Sequence, residues 1–238
     1  DLTSNAASGL LFTTLLLAIP LAAGAVLLSL IPIASKERPE PEPAASGGNG
    51  LWAMPLAWAI AAFHFVHVGF ESGMGGWITT YSERVAGAPV TNLLSPTFLY
   101  FLFFVLGRAL GPILFRYFNE NRAIVLGLIL VLVGLVIALS ASNIGQLSLG
   151  SIITGIGTSW IFPTNVSRFY NSFGPEAARK ATPLFICGTI GATAVTWGIG
   201  AVSSVTGDLS YGMLVLVAAV VLLFGLQAVI VTIAGRRK

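Results

Sequence analysis

The stretch FHFVHVGFESGMGGWITTY, residues 63–81, decides how the chain folds. It lies within an apolar run, residues 51–81, that is longer than the roughly 20 residues a helix needs to cross a bilayer. This run nevertheless carries His64, His67 and Glu71, spaced i, i+3 and i+7, so on a helix they form one stripe. A carboxylate inside a membrane is costly unless it faces a partner or a cavity, or carries its own proton. The stretch therefore predicts a membrane-spanning helix with a polar stripe.

Two adjacent glycines follow the carboxylate. Glu71 lies about five residues past the midpoint of the run, roughly 7–8 Å from the membrane centre at 1.5 Å per residue. Gly75 and Gly76 begin one turn later and weaken the helix beside that charge. A charge next to a weak point in a helix is typical of transport and gating elements, so we predict a hinge here. The alternative is a notch that only lets another helix pack closely.

The composition places the chain among all-α, polytopic membrane proteins. Of its 238 residues, 55% are hydrophobic and only 9% are charged, whereas a soluble domain has about a quarter charged residues. The net charge is +3, but the basic residues are scattered between apolar runs, which indicates membrane topology rather than nucleic-acid binding. Cys187 is the single cysteine, so no disulfide forms within the sequence.

Seven spans are predicted. Their approximate bounds are residues 10–33, 51–81, 95–115, 123–140, 148–169, 183–205 and 211–234. Between the first two spans, KERPEPEPAASGGNG (residues 36–50) has no large apolar residue and is predicted to be a flexible linker. The loop at 82–94 is predicted to be short and polar, that at 171–182 longer and amphipathic, and Phe162-Pro163 is predicted to kink the fifth span.

The basic residues fall almost entirely on one side of the predicted membrane. Alternate loops share a side; Arg84 is the one basic loop residue on the second side, and Arg108 lies within a span. The first side holds Lys36, Arg38, Arg116, Arg122, Arg168, Arg179, Lys180, Arg236, Arg237 and Lys238. By the positive-inside rule, the N-terminus is predicted to be outside and the linker and C-terminus cytoplasmic.

One span, a charged linker and six further spans beginning with GFESGMGGWITTY (residues 69–81) resemble the major facilitator superfamily, in particular its fucose-permease-like and sodium-dependent-glucose-transporter-like members. The resemblance implies that residues 1–35 hold the last helix of the N-terminal half, the sixth helix of the fold. It also implies that residues 36–50 are a cytoplasmic linker and that residues 51–238 form the C-terminal six-helix bundle.

Three further motifs carry the resemblance. The segment GRALGPILFRYFNENR (107–122) is similar to the family's loop motif Gly-x-x-x-Asp-Arg-x-Gly-x-Arg-Arg. Gly111, Arg116 and Arg122 fit that motif, while Phe115 and Phe118 replace its Asp and second Gly. The resemblance thus implies a gating or structural role for Gly111 and Arg116. GIGTSWIFPTNVS (155–167) resembles the kinked tenth helix, and GTIGATAVTWGIGAV (188–202) the glycine-rich eleventh.

The function that the resemblance implies is transport of a small polar solute, and the resemblance suggests a sugar. The superfamily builds its substrate path between two six-helix halves that rock around it, so the partners expected are the bilayer, the solute and an N-terminal half. Transport is expected to be secondary active, with H⁺ or Na⁺ as the coupling ion and no other cofactor.

The polar residues of the second span are the candidate site. Glu71 is predicted to couple transport or to bind solute; the alternative is a structural charge neutralised by Arg108 or a histidine. His67 and His64 are predicted to line the cavity or titrate there; the alternative is a buried hydrogen bond to a carbonyl group. Trp77 is predicted to stack on a sugar, and the alternative for it, as for Tyr100, is an anchor at the membrane interface.

Two polar residues outside the second span complete the candidates. Asn165 is predicted to bind solute, the alternative being a cap on a carbonyl group freed at the kink. Arg108 is predicted to be a structural latch that pairs with a carbonyl or carboxylate group, or else to extend to the interface. The histidines and Glu71 spread over about 10 Å of one helix, too far for one ion, so no metal site is predicted.

Other classes fit less well. A seven-helix receptor shares the topology, but neither Asp/Glu-Arg-Tyr at a helix end nor Asn-Pro-x-x-Tyr in the last span occurs. An intramembrane enzyme needs a nucleophile beside a base, and Ser72 and Glu71, adjacent on a helix, point about 100° apart. The chain is therefore predicted not to be an enzyme. A truncated, non-transporting interaction protein stays open as an alternative.

Overall fold

The computed structural model describes residues 50–87, 89–90, 94–114 and 117–236, without the side chains of 112–114 and 175–176. The first predicted span, nearly all of the linker, and Arg116 lie outside these residues. A 3₁₀ turn, Leu51–Ala53, precedes eight α-helices in this part of the chain. These are α1 (Pro55–Ala86), α2 (Pro96–Leu114), α3 (Glu120–Leu139), α4 (Ile144–Ser159), α5 (Ile161–Phe173), α6 (Pro175–Arg179), α7 (Thr182–Thr206) and α8 (Leu209–Gly235).

The all-α fold class is confirmed, and each predicted span from residue 51 onward corresponds to helix. Two boundaries were wrong. Helix α1 continues past Tyr81 to Ala86, because the chain meets no helix breaker until Gly87, whose φ of 68° is left-handed. The predicted loop 171–182 contains the short helix α6. Helix α1 also runs unbroken through Gly75 and Gly76.

The fifth predicted span is two helices, α4 and α5, separated at Trp160. The break lies just before the predicted Phe162-Pro163 kink because Pro163 has no N–H to donate to the carbonyl of Ser159, four residues earlier. The indole Nε1 of Trp160 donates to the carbonyl oxygen of Ala123 on α3 at 2.9 Å, which anchors the break against its neighbour.

Polar side chains begin three of the helices. Asn119 accepts a hydrogen bond from the N–H of Arg122 at the start of α3, and Asn143 accepts one from Gln146 at the start of α4. Asp208 accepts from the N–H of Ser210 at the start of α8, at 2.8 Å. That hydrogen bond from the backbone holds the pKa of the Asp208 carboxyl below its ordinary value. Caps of this kind stabilise a helix by about 0.5–2 kcal/mol each.

Glycines allow α1 and α7 to pack closely. A Cβ atom on Gly191 of α7 would overlap the carbonyl oxygen of Phe65 on α1, and one on Gly69 would lie 2.5 Å from Val195. Small residues at such crossings let helices approach, which is how dispersion stabilises bundles in lipid. The close packing of α1 against α7 therefore depends on glycine at these two positions.

The chain is an integral membrane protein. Among the described residues, α3, α7 and α8 are each long and apolar enough to cross a bilayer, and α2 contains a shorter apolar helix, Pro96–Gly111. Large apolar side chains point outward from these helices, as a surface in contact with lipid requires. They include Val105, Val125, Val133, Ile190, Val221 and Val229.

Candidate functional site

One stripe of α1 is left uncovered in the described part of the chain. Side chains along it are exposed or half-buried: Trp58, Ala62, Phe65, Val68, Ser72, Gly76 and Thr79. Glu71 lies beside this stripe on the side toward α2, with 27% of its side chain exposed. The carboxylate is therefore at the edge of an open face rather than in the dry core.

Glu71 faces a cation on the neighbouring helix. Its Oε2 atom lies 3.9 Å from Nη2 of Arg108 on α2, and the Arg108 side chain is 41% exposed. That distance is too long for a hydrogen bond, so the pair is held by charge alone. No hydrogen bond has to break for the two charges to separate.

Arg108 also satisfies the kink. Its Nε atom donates to the carbonyl oxygen of Ser159 at 3.0 Å, the same carbonyl that Pro163 leaves without a helical donor. Its guanidinium lies 4.3 Å from the ring centroid of Phe104 and 5.7 Å from that of Phe162, within cation–π range. One arginine thus joins the carboxylate of α1 to the break between α4 and α5.

This arrangement predicts that Arg108 and Pro163 are coupled. Arg108→Leu should destabilise the bundle by about 1–3 kcal/mol, since it leaves the Ser159 carbonyl without a donor. Pro163→Ala restores an N–H to that carbonyl, so Arg108→Leu should cost about 1 kcal/mol less in the Pro163→Ala background. The coupling is measured by thermal unfolding in detergent of the wild type, the two single variants and the double variant. Additive effects of the two substitutions would show that Arg108 does not serve the kink.

Three buried polar atoms on α1 and α2 lack a hydrogen-bond partner among the described residues. His67 Nε2 lies 3.1 Å from the hydroxyl of Thr158 on α4, but its buried Nδ1 has no hydrogen-bond partner among the described residues. Oε2 of Glu71 and the hydroxyl of Tyr100 also have no hydrogen-bond partner there. Tyr100 is fully buried and interacts electrostatically with both Glu71 and Arg108. The other two such atoms in the described chain, Thr154 Oγ1 and Arg168 Nε, lie elsewhere. Since a buried polar atom without a partner costs about 1–3 kcal/mol, these three atoms call for water or a polar solute.

His64, His67 and Glu71 form one stripe on α1 but contact different helices. His64 is buried, and its Nδ1 lies 3.4 Å from Nδ2 of Asn165 on α5, while its ring packs against Phe162 and Phe185. His67 contacts α4, and Glu71 contacts α2. Both histidines are buried, so of the three residues only Glu71 reaches the edge of the open face.

Asn165 does not contact the kink carbonyls. It is fully buried, and its Nδ2 lies 3.4 Å from the carbonyl oxygen of Ile60 on α1. The carbonyl of Trp160 accepts from the hydroxyl of Thr164 instead. Asn165 thus links α5 to α1, which neither of its sequence interpretations anticipated.

The remaining candidates lie around the same helix or outside the site. Trp77 is half-buried, and its Nε1 donates to the carbonyl of Thr196 on α7 at 3.0 Å, which turns the ring toward α7. A Cβ on Gly75 would lie 2.9 Å from the ring of Phe101 on α2, so Gly75 is a packing notch in this conformation. Gly111 is buried near the end of α2.

The sequence did not indicate the surroundings of four residues. Tyr100 was expected to be able to anchor at the interface but is fully buried, because α2 packs closely against α4 at Gly155. Thr158 and Ser159 gave no signal, since their roles depend on residues of other helices. Arg168, counted as a loop charge, is buried within α5, where amide oxygens accept its hydrogen bonds.

Two cavities lie away from Glu71. One of about 790 Å³ is at the start of α3, and Asn119, Glu120, Asn121, Pro163 and Ser167 are among the residues that line it. The other, about 470 Å³ and apolar, lies between α2 and α4. The polar cluster at Glu71 is part of neither.

Comparison with known proteins identifies the fold. No protein-family model matches the chain, and no curated protein matches it. A crystal structure of the E. coli fucose:proton symporter FucP does match, with a TM-score of 0.64 and 19% sequence identity over 76% of this chain. The match covers 44% of the symporter, so this chain corresponds to less than half of that protein's length. The chain has a major facilitator, fucose-permease-like fold, as its motifs implied.

Proposed function

We propose that this chain is part of a secondary active transporter that moves a small polar solute, with Glu71 as the residue that binds the solute or couples its movement to an ion. The observation that carries the proposal is the loose Glu71–Arg108 pair beside the uncovered stripe of α1. The fold of a sugar:proton symporter supports the same function.

The polar cluster suits a solute with several hydroxyl groups. Glu71 can only accept hydrogen bonds when ionised, Arg108 can only donate, and Tyr100 and His67 can do either. A polyhydroxyl solute offers both donors and acceptors, so it can pair with the carboxylate of Glu71 and the guanidinium of Arg108 at the edge of the open face. A solute that lacks these hydroxyls would leave buried polar atoms unpaired and bind more weakly.

The Glu71–Arg108 pair also provides a means of coupling. A proton or Na⁺ on Glu71 removes the negative charge that holds Arg108 at 3.9 Å, which frees the guanidinium for the solute. When the ion leaves, the pair forms again and the solute loses its donor. Binding of ion and solute would then favour one another, as symport requires.

Alternating access needs a second wall. In this proposal an N-terminal half, as the family resemblance implies, provides that wall along the open stripe of α1. Rocking of the two halves exposes Glu71 first to one side and then to the other. Gly75 and Gly76 provide the point at which α1 bends to close the outer mouth.

Uptake by the whole protein in liposomes tests the proposal. A panel of labelled monosaccharides, a polyol and an amino acid should show at least one that accumulates above its outside concentration when a proton or Na⁺ gradient is imposed. Collapse of the gradient with an ionophore should abolish the accumulation. Saturable binding without flux would favour a receptor, and neither binding nor flux would favour a non-transporting protein; both outcomes overturn the proposal.

A further inference from the structure

Arg168 is a buried cation that the proposed transport leaves unexplained. It is 5% exposed, and no carboxylate lies within ion-pair distance of it in the described chain. Its Nη2 donates a short hydrogen bond to Oδ1 of Asn165, and its Nη1 donates to Oε1 of Gln227 on α8 at 2.7 Å. The guanidinium also lies 5.1 Å from the ring centroid of Phe63. Two amide oxygens and an aromatic face therefore hold this charge.

The two neighbours of Asn165 determine which way its amide group points. A guanidinium can only donate hydrogen bonds, so the atom of Asn165 that faces Arg168 is the oxygen. The backbone carbonyl of Ile60 can only accept, so the atom that faces it, at 3.4 Å, is the nitrogen. Both contacts require the same orientation, so the chemistry of the two neighbours fixes the amide group of Asn165.

The orientation of Asn165 in turn decides the protonation of His64. The amide nitrogen of Asn165 can only donate hydrogen bonds, and it lies 3.4 Å from Nδ1 of His64. That ring nitrogen must accept and so carries no proton. In the neutral ring the proton is then on Nε2, which faces α7 where an added Cβ on Gly188 would lie 3.0 Å away. In a doubly protonated ring, the Nδ1–H of His64 would face an N–H of Asn165, and two donors would oppose each other.

We propose that Arg168 is a positioning residue that acts through Asn165 to hold His64 neutral, with its proton on Nε2. The tautomer itself is independent of what the protein transports. Its consequence rests on the proposed function: His64 does not carry a coupling proton, and Glu71 and His67 are left as the groups that exchange protons or bind solute.

Nitrogen-15 NMR of the whole protein in lipid, labelled at histidine, tests the proposal. The His64 signals are those lost in His64→Asn. In the wild type, Nδ1 should carry no proton and Nε2 should carry one. Asn165→Asp replaces the donor by a carboxylate that only accepts, so Nδ1 of His64 should become protonated. A protonated Nδ1 in the wild type, or an unchanged tautomer in Asn165→Asp, overturns the proposal.

Variants of Arg168 separate positioning from simple support. Arg168→Lys keeps a group that only donates and should preserve the wild-type tautomer. In Arg168→Gln the side chain can donate or accept, so only the 3.4 Å contact with the Ile60 carbonyl still favours the wild-type orientation of Asn165. A second His64 tautomer should then appear beside the first. A single wild-type tautomer in folded Arg168→Gln would show that Arg168 does not act on His64. If these variants do not fold, the wild-type spectrum still tests the predicted tautomer of His64. A protein that transports nothing would overturn the proposed function without changing that spectrum.

Discussion

Glu71→Gln should lower ion-driven uptake by the whole protein by about 10- to 100-fold, because a hydrogen bond to a charged group is worth about 1.5–3 kcal/mol. Glutamine keeps the size and most of the hydrogen bonding of Glu71 but can neither carry a proton nor attract Arg108. The measurement is initial uptake into liposomes under an imposed proton or Na⁺ gradient.

A second assay separates the two roles of the carboxylate. If Glu71 couples transport, Glu71→Gln should still exchange labelled for unlabelled solute across the membrane without a gradient. If Glu71 binds solute, exchange should fall as well. Glu83→Gln is the matched control, since it makes the same change three turns further along α1. Ion-driven uptake by Glu71→Gln equal to that of Glu83→Gln would remove Glu71 from the mechanism.

Gly191→Val should have the largest effect on stability. A side chain there overlaps the backbone of α1 at Phe65, and backbone cannot move aside as a flexible side chain can. We expect a loss of about 3 kcal/mol or more, enough to separate α1 from α7. The measurement is the fraction of monodisperse protein that remains after heating in detergent.

The control for this prediction is Gly225→Val on α8, where an added Cβ meets nothing within 4 Å. It makes the same substitution in a similarly apolar helix, so it corrects for the effect of valine on insertion into the membrane. Equal thermal stability of the two variants would mean that α1 and α7 do not cross as closely as the structure shows.

Helix positions were predictable because membrane spans depend on local composition. Each span from residue 51 onward appears as helix, and the break in the fifth follows from Pro163 alone. The exact ends of the helices were not predictable, since the end of α1 depends on Gly87 rather than on the polar residues that precede it. The loop predicted from polarity therefore started at residue 82, although the helix continues to Ala86.

The site was only partly predictable because its contacts join distant segments. The intramembrane position of Glu71 was evident from its surroundings in the sequence. Its pairing with Arg108, and the contact of Arg108 with Ser159, depend on how α1, α2 and α4 cross. Spacing on one helix grouped His64 with Glu71, yet packing sends His64 toward Asn165. A helical stripe about 10 Å long reaches different neighbours along its length.

In a transporter of this kind, the face of α1 beside Glu71 should meet water rather than lipid. The reaction of Ser72→Cys, made in a Cys187→Ala background, with a charged thiol reagent that does not cross membranes measures this. A thiol reacts as the thiolate, which forms in water and not in hydrocarbon. Val221→Cys on α8, at a position 62% exposed, is the comparison on the surface that faces lipid. We predict that Ser72→Cys in the whole protein is labelled and that a transported solute slows the labelling, while Val221→Cys stays unlabelled. Labelling of Ser72→Cys no faster than that of Val221→Cys would mean that this face of α1 meets lipid and that Glu71 does not border a path for solute.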